Sequence, residues 1–140
     1  EASAQAIDSD GWYHSGDVAV MSEKGEVTIC GRIKDMIIRG GENLFPRQIE
    51  ELLMAHPAVK DAQVVGIPSE YLGEEPVAFV ILKPGEMIRQ KELKRFCRER
   101  MAIQSVPIFV FFVEKYPQTA SGKIQKYKLR EMALERIEKK

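Results

Sequence analysis

A length of 140 residues gives room for one domain with an appendage. A hydrophobic content of 44% is too high for a disordered chain, and 21 Lys plus Arg against 21 Asp plus Glu leave a formal net charge of zero. No net field therefore recruits nucleic acid or an anionic membrane surface, and no apolar run approaches the ~20 residues of a membrane-spanning helix.

The first nine residues are polar and carry no secretory signal, and the chain opens on Glu1 rather than Met. This start suggests that upstream sequence has been removed. Two short β-like runs, Val18-Ala-Val-Met21 and Val27-Thr-Ile-Cys30, flank Ser22-Glu-Lys-Gly-Glu26 and read as a hairpin, with Gly25 free to take a positive φ. Met36-Ile-Ile38 is a short strand candidate stopped by Gly40-Gly41. Pro46 opens a helix, since its missing N–H had no intrahelical partner there; Ile49, Leu52 and Leu53 line one face and His56-Pro57 ends it. Residues 62–67 and 77–82 read as buried strands joined by a polar loop from Pro68 to Pro76. Leu93, Phe96, Cys97 and Met101 restore helical spacing, Phe109-Val-Phe-Phe-Val113 is a third strong strand, and Leu129 to Ile137 mark an amphipathic terminal helix.

From Pro46 the order is α-β-β-α-β-α. This predicts an α+β fold with a small mixed three-stranded sheet flanked by helices and preceded by the β-hairpin. A boundary falls near Lys34-Asp35, giving a segment 1–33 and a domain 34–140. The two cysteines, Cys30 and Cys97, and the two histidines, His14 and His56, have no ligand spacing around them. They predict no metal site and no disulfide, and buried reduced thiols that suit a cytoplasmic location.

Three segments carry chemistry. In Asp10-Gly-Trp-Tyr-His-Ser-Gly-Asp17, the last carboxylate caps a glycine turn, or accepts hydrogen bonds from two neighbouring hydroxyls such as those of a ribose. In Gly31-Arg-Ile-Lys-Asp-Met-Ile-Ile-Arg-Gly-Gly-Glu-Asn-Leu-Phe-Pro46, the cations form a solvated face, while Gly40-Gly41 leaves backbone that a ligand can approach closely. In Pro117-Gln-Thr-Ala-Ser-Gly-Lys-Ile-Gln-Lys126, Gly122-Lys123 is not a phosphate-binding P-loop, because Pro117 and Ile124 stand where that motif needs Gly and Ser or Thr. A lysine on a flexible Gly-Ser loop either stays solvated or delivers positive charge to a carboxylate or phosphate.

In this order and spacing the three segments resemble the adenylate-forming superfamily of AMP-dependent ligases. The likeness covers essentially the whole chain and is nearest to medium- and long-chain fatty acyl-CoA synthetases through Arg39-Gly-Gly-Glu-Asn43 and Gly122-Lys-Ile-Gln-Lys126. The resemblance implies a C-terminal lid that swings against a larger N-terminal domain. Carboxylate and ATP give acyl-AMP, and CoA then displaces AMP. It assigns Lys123 to catalysis, Asp17 and Arg32 to the nucleotide, Lys34 and Asp35 to the hinge, and Gly40 and Gly41 to a tunnel for the CoA arm. It further implies that Mg2+ is bound mainly through the N-terminal domain, that a lysine acetyltransferase acts on Lys123, and that the isolated piece is inactive. Ser105-Val-Pro-Ile108 departs from the family's basic residues near the CoA nucleotide, where Arg89 or Lys91 could substitute. Two rival readings stay open. One is the lid of an aryl-CoA ligase or carrier-protein-loading enzyme; the other is a non-catalytic interaction module of the same fold.

Overall fold

The computed structural model describes residues 17–139. The Asp10–Gly16 part of the first motif, and His14 with it, lies outside the described residues, as do the side chains of Asp17 and Cys30.

Strands β1 (Asp17–Met21) and β2 (Val27–Arg32) form an antiparallel two-stranded sheet. Its turn is closed by Ser22 and Glu26, whose backbone N–H and C=O meet at 2.8 Å, with Gly25 at φ 84°. A 3-10 turn, Ile33–Asp35, leads from this hairpin into a separate five-stranded sheet. Strand β3 (Ile37–Arg39) lies where one was expected, but β4 (Glu42–Leu44) is an addition. Gly40 and Gly41 do not merely stop β3. With φ of 56° and 85° they make the two-residue turn that pairs Arg39 with Glu42, since positive φ at both central residues matches the twist of the flanking strands.

The rest of the sheet is β5 (Val59–Ser69), β6 (Gly73–Leu82) and β7 (Phe109–Phe112). The order is β4-β3-β6-β5, with β7 alongside β6. Only the β6–β7 pair is parallel among the described strands, so the sheet is mixed as expected, with five strands where three were expected because β3 and β4 join its edge. The expected Pro68–Pro76 loop is shorter than its polar composition suggested. Pairing runs out to Ser69 opposite Gly73 and leaves Glu70, Tyr71 and Leu72 as the turn. Long antiparallel pairing overrides local polarity there. Pro68 lies on the edge strand, where its missing N–H costs no ladder bond.

Helices α1 (Pro46–Met54) and α2 (Gln90–Arg98) cover one face of the sheet, and α3 (Lys126–Glu138) packs with the other. Side chains alternate across β6: Ala78 and Val80 join Ile49, Leu53, Leu93 and Cys97, while Val77 and Phe79 join Phe111, Tyr116, Leu129 and Ala133. A central strand buried on both faces holds the two helical layers together. Cys97 is buried with a free thiol. Burial pushes its thiol up to about 11, opposed in part by Arg100, so it stays protonated and inert.

Candidate functional site

Residues 117–125 form a tight turn, not a flexible loop. Gln118 bridges Ile124 in antiparallel fashion, Gly122 N–H donates to the Thr119 carbonyl at 2.9 Å, and Gln125 N–H donates to the Pro117 carbonyl at 2.9 Å. Thr119 Oγ1 meets Ser121 Oγ at 2.9 Å, and Gly122 has φ 90°. This is the three-residue hairpin loop in which a glycine in the left-handed region completes the reversal. Lys123 leaves it exposed to solvent on a hydrogen-bonded backbone.

Both ends of the turn are anchored to the sheet. On the entry side Tyr116 is buried and its hydroxyl donates to the Phe79 carbonyl at 3.4 Å. Burial, with Asp61 beside it, holds that phenol far above its ordinary range, so it remains a neutral donor. On the exit side Lys126 Nζ lies 2.7 Å from Glu50 Oε2 and 3.2 Å from the Val64 carbonyl, and Glu50 Oε2 also accepts the Val64 N–H at 2.9 Å. One helical turn on, Arg130 Nε donates to the Gly66 carbonyl at 2.8 Å. Lys126 and Arg130 share a helix face, and Val64 and Gly66 share an edge of β5, so the two periodicities mesh and dock α3 along the strand.

An open cleft of about 510 Å³ brings the hinge and catalytic candidates together: Arg32, Lys34, Asp35, Lys123, Lys126 and Arg130 all line it. Among the described residues its lining carries five cations and one carboxylate, Asp35, an excess of positive charge that suits an anion, although Lys126 is paired with Glu50 and Arg130 Nε donates to the Gly66 carbonyl. An adjoining cleft of about 490 Å³ shares Arg32, Asp35 and Lys126 and continues to Arg47, Glu50 and Glu51. Asp17 stands opposite Arg32 in the β1–β2 register, so the two nucleotide candidates are cross-strand neighbours in backbone position. Lys34 and Asp35 sit in the 3-10 turn between the two sheets, with Lys34 exposed.

Gly40 and Gly41 do not line the Lys123 cleft. They form the exposed β3–β4 turn, where Gly40 N–H donates to the Leu72 carbonyl at 2.7 Å and a side chain on Gly41 would meet nothing within 4 Å. Near the departing segment, Gln104 Nε2 donates to Glu42 Oε2 at 2.7 Å, tying the approach to β7 to strand β4. Arg89 precedes α2 and Lys91 is exposed on it.

Sequence reasoning did not single out Glu50, Tyr116, Lys126 and Arg130. The signals were present: Glu50 interrupts the apolar row of α1 between Ile49 and Leu53, and Lys126 and Arg130 stand four residues apart. Among the described residues no group of three His, Cys, Asp or Glu side chains is placed to hold a metal ion, and no helix is long and apolar enough to cross a membrane.

The family described as AMP-binding enzyme C-terminal domain matches residues 48–123. YngI of Bacillus subtilis (strain 168), grouped by name with the acyl-CoA synthetases, is 53% identical over 135 residues, covering 96% of this chain and 25% of that protein. The mitochondrial medium-chain acyl-CoA ligase ACSF2 of Mus musculus is 49% identical over 127 residues, covering 91% of this chain and 21% of that protein. Among solved structures, ATP-bound MatB from Rhodopseudomonas palustris superposes with a TM-score of 0.84 at 33% identity, over 94% of this chain and 26% of that one. The o-succinylbenzoate CoA synthetase MenE from Bacillus subtilis, in complex with the acyl-adenylate intermediate OSB-AMP, gives 0.85 at 32% identity, over 93% of this chain and 26% of that one. The chain thus spans about a quarter of the length of the curated relatives it matches. With its fold, its Lys123 turn and more than half of its residues matched, the chain belongs to the AMP-binding enzyme C-terminal domain family of the adenylate-forming enzymes.

Proposed function

We propose that this chain is the C-terminal part of an ATP-dependent, AMP-forming fatty acyl-CoA synthetase, with segment 1–33 belonging to the larger N-terminal domain and 34–140 forming a mobile lid. The observation that carries the reading is the common cleft of Arg32, Lys34, Asp35 and Lys123, which joins the end of one sheet to the turn below the other. In the first half-reaction the substrate carboxylate attacks the α-phosphorus of ATP and pyrophosphate leaves. The Lys123 ammonium lies between the two anions and offsets their charge as they approach. Asp17 holds the ribose hydroxyls, and Arg32 contacts the ribose and phosphate side. In the second half-reaction the CoA thiol attacks the acyl carbon and AMP leaves. Torsions at Lys34 and Asp35 swing the lid, and the Gly40–Gly41 turn then lines the path of the CoA arm.

The magnesium ion that accompanies ATP is assigned mainly to the larger N-terminal domain. The isolated chain is expected to be inactive, its few contacts being unable to offset the entropy cost of binding nucleotide. Acetylation of Lys123 by a lysine acetyltransferase would remove the cation and stop the first half-reaction. A cytoplasmic location completes the proposal.

The test is Lys123→Ala in the full-length enzyme. Acyl-adenylate formation should fall by about 100-fold or more, as for loss of a charge that stabilises a transition state, while thioester formation from supplied acyl-AMP is spared. Equal losses in the two assays would refute the role.

A further inference from the structure

We propose that Glu50 is a positioning residue for Lys123, acting through Lys126; the inference rests on the catalytic role given to Lys123 above. Glu50 is 8% exposed, and the described residues contain no other buried charged side chain. Its Oε2 joins two elements that are distant in sequence, accepting the Val64 N–H of β5 at 2.9 Å and pairing with Lys126 Nζ at 2.7 Å. Lys126 is the first residue of α3 and follows Lys123 by three positions.

Two features set this pair apart from a simple staple. The N-terminus of α3 has no side-chain cap and no acidic residue in its first turn, yet it opens on a cation. A cation there opposes the helix dipole, so helix stability does not account for Lys126. Burying an ion pair is also a poor route to stability, because desolvation consumes most of the Coulombic gain. What the pair supplies is direction. The ammonium is held from one side by Glu50 and from another by the Val64 carbonyl at 3.2 Å, which fixes the point where the lysine turn ends and α3 begins. The other end is fixed by Tyr116 on Phe79. Between these anchors the turn has one set of internal hydrogen bonds, so the reach of Lys123 is set by where its exit strand is held. Glu50 itself lines the adjoining cleft, away from Lys123.

The experiment uses the full-length enzyme with Glu50→Gln, Lys126→Met, the double variant and Lys126→Arg, alongside Lys123→Ala. Carboxylate-dependent ATP–pyrophosphate exchange reads the first half-reaction, supplied acyl-AMP reads the second, and thermal melting reads stability. Glu50→Gln and Lys126→Met should each lower kcat for adenylation by about 10- to 100-fold, the scale of a small misplacement of a catalytic group. For Glu50→Gln, which lies outside the Lys123 cleft, KM for ATP and thioester formation should stay within about twofold; the double variant should be no worse than either single one, and Lys126→Arg should recover most of the loss. Equal loss in both half-reactions, or unchanged adenylation in Lys126→Met, would overturn the proposal even if Glu50→Gln failed to fold. If Lys123→Ala is crippled in adenylation while both pair variants are normal, this inference alone falls. If Lys123→Ala adenylates normally, the reading beneath it falls as well.

Discussion

Thr119 and Lys123 grip each other twice: Thr119 N–H donates to the Lys123 carbonyl at 2.9 Å, and Lys123 N–H donates to Thr119 Oγ1 at 3.1 Å. The side chain assigned to chemistry thus projects from a residue whose own backbone is spoken for on both sides. Thr119→Val keeps the shape and β-branching and removes only the hydroxyl bond. It should cost about 1 kcal/mol or less of stability, the net worth of one exposed hydrogen bond. Adenylation should fall about 3- to 10-fold through looser positioning of Lys123. Melting curves and half-reaction kinetics of the full-length variant check both figures.

Lys34→Pro addresses the hinge. Proline fixes φ at position 34 and disfavours the helical conformation of Ile33, the residue before it, in the 3-10 turn. On the proposed hinge role thioester formation should suffer more than adenylation, because in that proposal the torsions change only for the second half-reaction. A larger loss in adenylation would count against the hinge.

Gly41→Ala separates backbone conformation from space. A methyl group there meets nothing within 4 Å, but φ of 85° disfavours any L side chain. A loss of about 1 kcal/mol in stability is expected from that strain. If the turn lines the CoA path, the variant should also raise KM for CoA and leave KM for ATP alone. Saturation curves for the two substrates provide the check.

Cys97 gives a pH dependence with a definite sign. Its folded value is raised from 9.0 to about 11, chiefly by burial, so between these limits the native state holds a proton that the unfolded chain releases. Stability from this group is complete below pH 9 and is lost as pH climbs toward 11. Melting temperatures across that range should decline less steeply for Cys97→Ala than for the parent. Parallel slopes would show that the thiol is not the group responsible.

Much of this was legible in the sequence because periodicity reports burial directly. Phe109 to Phe112 and Val77 to Leu82 read as strands because both are apolar runs too short for helices, and α1 opens at Pro46 as its lack of an N–H requires. The ends of β5 and β6 were not legible. Glu70, Glu74 and Glu75 are polar by composition, and only pairing with the partner strand extends the ladder through Pro68 and Pro76. Strand β4 is not legible in the sequence, because Gly40-Gly41 looks the same whether it ends a strand or reverses it. The rigidity of the Lys123 turn was missed because Gly and Ser suggest freedom until the Thr119 and Pro117 bonds are seen. The sequence marks Glu50 as a charge in an apolar row, but its partners, 14 and 76 residues away, are legible only in three dimensions.

The grip of α3 on β5 has a consequence for association. β5 ends the sheet, and an outermost strand ordinarily offers free peptide groups onto which a foreign strand can add. Here the Val64 amide and the Val64 and Gly66 carbonyls are already engaged by Glu50, Lys126 and Arg130. At Val64 and Gly66 an edge that would invite polymerisation is closed by Glu50 of α1 together with the helix that follows the lysine turn.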